Sequence, residues 1–202
     1  MSYTINKQTY AGGRAYRYHV LDRAGRLRYV AEPTGLLRPL PTRQVEFFDP
    51  EHNLVGHVQP PDIAPWQRGK RYAVLVGKET EEPRAVIRER WRQVDGLLLR
   101  LPCYEVQLGR YFYIVRGSRY GGRLYEIFRP HGEEADEKRG GGEEDPDSPL
   151  RDVEVGYIQR PATGPSYIIE TDAAPLRQAP LALAALVILI DMDMELDTEL
   201  FF

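Results

Sequence analysis

Residues Leu181 to Ile190 form an unbroken apolar run, LALAALVILI, and this run constrains the fold more than any other stretch. As a helix it spans roughly 15 Å at about 1.5 Å per residue. A bilayer core needs roughly 30 Å. Extension meets Pro180, Gln178 and Arg177 on one side and Asp191, Asp193 and Glu195 on the other. The run is too short to span a membrane, so it predicts a buried core helix and no transmembrane span. A helix that is apolar on every side must be surrounded. Pro175 or Pro180 suits its first turn, where a missing N–H costs nothing. Acids from Asp191 onward would oppose the negative C-terminal end of a helix. The helix, placed over 176–195, is therefore expected to end or fray soon after Ile190, with DMDMELD as an alternative final strand.

What surrounds the helix is legible upstream. From Ala15 to Glu170 the chain repeats short runs rich in tyrosine, valine, isoleucine and leucine, separated by turn residues. AYRYHVLDRAGRLRYVAE breaks at Asp22-Arg23-Ala24-Gly25, and VEFFDPEHNLVGHVQ breaks at Asp49-Pro50-Glu51-His52-Asn53. Such clusters supply the backbone angles and local hydrogen bonds of tight turns. Further runs are RYAVLVG, RAVIRERWRQV, CYEVQL, RYFYIVRG, RLYEIF, EVGYIQR and SYIIET. Tyr16, Tyr18 and Val20 alternate onto one face, as do Tyr111, Tyr113 and Val115. Pro33, Pro39 and Pro41, and again Pro60, Pro61 and Pro65, read as loops. Ten to twelve strands in succession predict a mainly β protein, a sandwich or a barrel. A single sheet covers only half of an all-apolar helix, whereas a closed barrel covers all of it and removes the sheet edges. Thirteen tyrosines against six phenylalanines suggest strands with one wet face.

Charge is unevenly spread. Residues 133–147 carry eight acids and two bases, and five more acids follow Ile190, leaving about +8 on the rest of a chain whose formal net charge is −3. The glycine-rich acidic stretch 132–149 has almost no apolar residues and reads as a disordered insertion in a loop. The basic residues are nearly all arginine, which hints at a bacterial source. Arg88, Arg90 and Arg92 alternate along VIRERWRQV with Ile87 and Trp91 turned inward, and Arg26 and Arg28 do the same in the first hairpin. Guanidinium groups clamp phosphates bidentately. These five arginines are the candidate anion-binding residues.

Catalytic and metal signatures are missing from the sequence. His19, His52, His57 and His131 lack metal-ligand spacing, and Gly140-Gly141-Gly142 lacks the Gly-Lys-Ser/Thr ending of a phosphate loop. There is no GxSxG nucleophile elbow. Cys103, the one cysteine, reads as a small core residue. The sequence therefore predicts a single domain over 1–202 that is not an enzyme and uses no cofactor and no metal.

The chain resembles the tubby C-terminal-like superfamily, in its scramblase and LURP-one-related branch. The strand–turn–strand units EFFDPEHNLVGHVQ and YHVLDRAGRLRYVAE carry the resemblance, as do YIQR followed by SYIIETD and the terminal APLALAALVILIDMDMELD. It extends roughly from Tyr10 to Leu196. It implies a closed twelve-stranded antiparallel barrel enclosing the C-terminal helix, in agreement with the argument from the apolar run. The cysteine cluster of eukaryotic scramblases is absent, and Glu170-Thr171-Asp172 offers only two carboxylates where those proteins bind calcium. The expected function is a non-catalytic, cytoplasmic barrel, peripheral at the membrane, that binds anionic phospholipid headgroups. The alternatives are a structural or regulatory protein-interaction module with an unnamed partner, and a polyanion binder, with nucleic acid the less expected ligand.

Overall fold

A computed structural model describes residues 2–10, 15–34, 43–59, 70–77, 82–90, 103–117, 123–130, 152–161 and 164–201. Twelve strands form a closed barrel. They are β1 (Ser2–Tyr10), β2 (Ala15–Asp22), β3 (Leu27–Thr34), β4 (Gln44–Phe48), β5 (Leu54–Gln59), β6 (Arg71–Val76), β7 (Ala85–Arg90), β8 (Cys103–Leu108), β9 (Tyr111–Gly117), β10 (Leu124–Arg129), β11 (Val153–Gln159) and β12 (Ser166–Thr171). Each pairs antiparallel with its sequence neighbours, and β1 closes the cylinder on β12, with Ile5 opposite Tyr167. A short helix α1 (Ala174–Arg177) leads into α2 (Pro180–Phe201), which runs down the barrel. Pro175 sits in the first turn of α1 and Pro180 opens α2.

Period-two patterning fixes which side chains point in. Ile5, Tyr18, Val20, Phe47, Ile87, Val106, Tyr113, Val115 and Ile169 are buried, and Leu181 to Ile190 are buried on every side of α2. The helix supplies the core that a hollow cylinder of strands lacks, and the strands supply the apolar wall that an all-round hydrophobic helix requires. Gly56, on the inner face of β5, makes room where the helix enters. A Cβ there would lie 2.5 Å from the Leu75 carbonyl oxygen and 3.3 Å from Cδ1 of Leu181.

The strands have one wet face, as expected, but seven of the tyrosines sit on the dry one: Tyr3, Tyr18, Tyr72, Tyr104, Tyr113, Tyr125 and Tyr167 are buried. Two expectations are corrected. Pro33 does not break the sheet. It lies inside β3, opposite Val45, one residue from the strand's end. The N-terminal SYTINKQTY, whose outer positions are Thr4, Asn6 and Gln8, is a full strand. Its polar outer face disguised the inward alternation of Tyr3, Ile5 and Lys7. The acidic stretch 132–149 lies outside the described residues.

The connections divide between two ends of the barrel. The turn end has the three tightest hairpins of its half, with four residues between β2 and β3, five between β4 and β5 and two between β8 and β9, together with eight between β6 and β7 and twenty-three between β10 and β11. The two-residue turn begins with Gly109 at φ 56°, the positive angle that such hairpins require. At the other, the loop end, nine residues separate β3 from β4, eleven separate β5 from β6 and twelve separate β7 from β8, with four to six in each of the other three connections. The helix enters at the turn end, since β12 finishes there, and points toward the loop end.

Because Leu186 is 1% exposed and enclosed by wall residues on all sides, truncating it leaves a cavity that cannot collapse. Leu186→Ala is expected to lower stability by about 2–5 kcal/mol in urea unfolding. A loss below about 1 kcal/mol would mean the helix is not enclosed.

Candidate functional site

The loop end of the barrel is where the chain's charges are sorted. The α2 helix does not stop at the apolar run; it continues through Asp191 and Asp193. Two residues apart on a helix means about 200° of rotation, so the two carboxylates face opposite walls. Asp191 meets the β12–β1–β2 sector. Its Oδ2 accepts from Lys7 Nζ at 2.9 Å and from the Tyr18 hydroxyl at 2.7 Å, and its Oδ1 accepts from the Tyr167 hydroxyl at 2.6 Å. Asp193 meets the far side of the barrel. Its Oδ2 accepts from the Tyr104 hydroxyl on β8 at 2.6 Å, and its Oδ1 pairs with Arg43, just ahead of β4. Arg43 also donates to the Tyr72 hydroxyl on β6 at 2.7 Å. The ammonium of Lys7 lies 3.9 Å from the centre of the Tyr16 ring.

This arrangement explains why the helix outruns its expected end. Asp191 lies midway along a 22-residue helix rather than at its C-terminus, and cations and hydroxyls from the wall receive both carboxylates. Burial alone would raise the Asp191 carboxyl. The hydroxyl of Tyr167, the ammonium of Lys7 and the hydroxyl of Tyr18 outweigh it and hold the group below its ordinary value. Burial lowers the Arg43 guanidinium, but the charge of Asp193 and the Tyr72 hydroxyl raise it on balance. Burial, then the neighbouring carboxylates, push the Tyr104 and Tyr167 phenols up, so they remain neutral donors.

The same sorting sets the outer charge. Of the acids at the loop end whose side chains are described, Glu89 and Asp191 are buried and the Asp193 side chain is 14% exposed. Within one residue of the strand ends, the exposed or half-buried charges among the described residues are Lys70, Arg71, Arg116, Arg123 and Arg160. Lys70 stands 4.0 Å from Glu89, Arg116 pairs with Asp152 at 2.9 Å, and Arg160 lies over the Tyr167 ring at 5.5 Å. Glu32, Glu46 and Glu126 are half-buried and stand two residues deeper in their strands.

The five arginines singled out from the sequence do not form one patch. Arg88 is exposed on the outside of β7, 4.0 Å from Glu105 and opposite Arg71. Arg90 ends β7 opposite Cys103, which is buried; the Arg90 side chain and all of Arg92 lie outside the described residues. Arg28 is exposed at the start of β3, four strands away, at the turn end. Arg26 lies in the adjoining turn, where it pairs with Asp22 at 2.9 Å. Sequence reading missed Lys70, Arg71, Arg123 and Arg160 because they flank separate strands and come to one end of the barrel only through its topology. It also missed Lys7 and Arg43, although a lysine at an inward position of an alternating strand is a legible sign of a buried carboxylate partner.

At the turn end, a cavity of about 370 Å³ is lined by Ser2, Arg23, Glu154, Tyr157, Glu170 and Asp172 among others. Among the described residues, no group of three or more His, Cys, Asp or Glu side chains is placed to hold a metal ion. None of the described helices is long and apolar enough to cross a membrane.

No known protein family's sequence profile matches the chain, and no curated protein matches it. Among solved structures it is similar to the X-ray structure of a protein from Arabidopsis thaliana, at 15% identity over 94% of this chain and 90% of that one, with a TM-score of 0.46. That likeness is too distant to bear on function.

Two predictions follow from the Asp191 cluster. Asp191→Asn leaves the Lys7 ammonium buried without its carboxylate and is expected to cost about 3–5 kcal/mol at neutral pH, whereas Lys7→Met/Asp191→Asn together, which removes the buried cation and keeps an amide oxygen for the Tyr18 and Tyr167 hydroxyls, should recover part of that loss. The Asp191 carboxyl sits lower in the folded chain than in the unfolded one. Its contribution is therefore complete above the ordinary carboxylate value and is lost as pH falls through the folded value. Acid unfolding of the double variant should show a shallower pH dependence than that of the wild type; identical acid limbs would contradict the assignment.

Proposed function

We propose that the protein is a non-catalytic barrel of the scramblase and LURP-one-like type that docks its loop end on an anionic lipid surface. One observation carries this reading: among the residues at that end whose side chains are described, Glu89, Asp191 and Asp193 are drawn inside the barrel, while the exposed or half-buried charges within one residue of the strand ends are Lys70, Arg71, Arg116, Arg123 and Arg160. Described charges of one sign at these strand ends, on a chain of formal net charge −3, give the molecule a charged direction. Anionic headgroups attract basic residues held near the surface by about 1 kcal/mol each. The arginines offer bidentate contacts to phosphate. Their anchoring in strand ends, with Arg160 N–H donating to the Arg123 carbonyl oxygen at 2.8 Å, keeps them in place without a bound ligand.

Co-sedimentation with vesicles tests the reading. Binding is expected to vesicles containing phosphatidylserine, to be absent with phosphatidylcholine alone, and to weaken between about 50 and 200 mM salt as screening shortens. Lys70→Ala/Arg123→Ala/Arg160→Ala should lower affinity roughly a hundredfold, at about 1 kcal/mol for each residue removed. Equal binding to both vesicle types, or none to either, would overturn it. Binding to duplex DNA of equal charge with no response to vesicles would favour the polyanion reading instead.

A further inference from the structure

At the loop end one strand pair outruns its neighbours. β1 pairs with β12 only as far as Asn6, opposite Ser166, and one further backbone bond joins the Lys7 N–H to the Pro165 carbonyl oxygen at 2.9 Å. On the other side β2 meets β3 only from Tyr18, opposite Ala31. Pro33 falls opposite Tyr16 in that register and has no N–H with which to extend the ladder. Beyond these limits Gln8–Tyr10 and Ala15–Arg17 pair with one another and, among the described residues, with no other strand. Three rows at about 3.4 Å each make this projecting ribbon about 10 Å long.

The ribbon is basic and aromatic. Alternation sets Gln8, Tyr10 and Arg17 on its outer face. Tyr10 is 48% exposed, and the other large apolar side chains exposed among the described residues, Val76 and Val153, lie at the turn end. Arg17 is exposed and stands diagonally across from Tyr10, its guanidinium 5.8 Å from the ring centre. Among the described residues it has no carboxylate within salt-bridge distance, and the sequence from Lys7 to Tyr18 holds no acid. A ring with a polar tip suits the headgroup layer of a membrane, where tyrosine collects because one end is apolar and the other wet. The guanidinium beside it matches headgroup phosphate. Nucleic acid fits less well. The described cations of this end, Arg17, Lys70, Arg116, Arg123 and Arg160, are spread over separate strands round a cylinder rather than along a groove, and a fluid plane of headgroups meets such a spread.

We propose that the β1–β2 ribbon is a membrane-interface anchor, with the Tyr10 ring seated among the headgroups of an anionic lipid surface and Arg17 on their phosphates. The anchor rests on the lipid-docking reading and names the part of the loop end that enters the surface. Electrostatic attraction brings that end to the membrane; the ribbon, standing ahead of the strands beside it, makes the first contact that salt does not screen.

A fluorescent label and vesicles test it. Gln8→Cys carries a nitrobenzoxadiazole group on the outer face beside Tyr10, and Arg110→Cys carries one in the β8–β9 turn at the opposite end. Cys103 is buried, and wild type treated alike is the blank. With vesicles containing phosphatidylserine, the label at position 8 is expected to shift to the blue and to be quenched by shallow spin-labelled lipid, while the label at position 110 does neither. Tyr10→Ala should weaken binding by the same factor at about 50 and 200 mM salt, whereas the loss from Arg17→Ala, about fivefold at low salt, should shrink as salt rises. These side chains lie outside the core, so circular dichroism of each variant should match wild type. A wild type that binds the vesicles while position 8 stays in water, or while Tyr10→Ala binds equally well at both salts, would overturn the anchor and leave the docking reading standing. No binding of the wild type to these vesicles would overturn both, whether or not duplex DNA is bound.

Discussion

An all-apolar helix with no wet face is the constraint from which the rest of this architecture follows. Leu181 to Ile190 expose almost nothing to water, and only a wall closed through a full turn achieves that. Twelve antiparallel strands in simple succession provide the wall, and the β1–β12 pairing removes the last free edges. Each part makes the other possible: the cylinder without the helix would be hollow, and the helix without the cylinder would be insoluble.

Apolar packing alone leaves the helix free to rotate or slide, because one buried leucine resembles the next. The carboxylates of Asp191 and Asp193 remove that freedom. Set about 200° apart, they reach Lys7, Tyr18 and Tyr167 on one wall and Arg43 and Tyr104 on the other. A change in rotation or depth would strand buried charges, which costs several kcal/mol per ion. Net stability is the lesser contribution of such clusters; what they add is one register in place of several. The tyrosines suit this role because the ring packs as core while the hydroxyl reaches a partner.

Much of the fold was legible because strand alternation and turn chemistry are local signals. Tyr16/Tyr18/Val20 and Tyr111/Tyr113/Val115 point inward as their spacing predicts, and the turns at Asp22–Gly25 and Asp49–Asn53 lie where their residue types place them. What was not legible depended on partners distant in sequence. The end of the helix was misplaced because Asp191 reads as a solvent-seeking acid until Lys7, 184 residues away, is brought beside it. The cations at the loop end escaped notice for the same reason: Lys70, Arg123 and Arg160 share no local pattern and are brought to one end of the barrel only by its topology. The arginine stripe Arg88/Arg90/Arg92, which has such a pattern, yields one described exposed side chain, and the stripe does not join Arg26 and Arg28.

Drawing acids inward thus serves the core and the surface at once, since each carboxylate braced against the wall is one fewer to cancel the cations at the mouth. The central claim is that α2 remains helical and enclosed beyond Ile190, through the two braces. Native-state hydrogen exchange of the Asp191 and Met192 backbone amides tests it most directly. The account predicts protection equal to that of Ile188, set by global unfolding. Exchange orders of magnitude faster than at Ile188 would show that the helix frays at the end of the apolar run, and would contradict it.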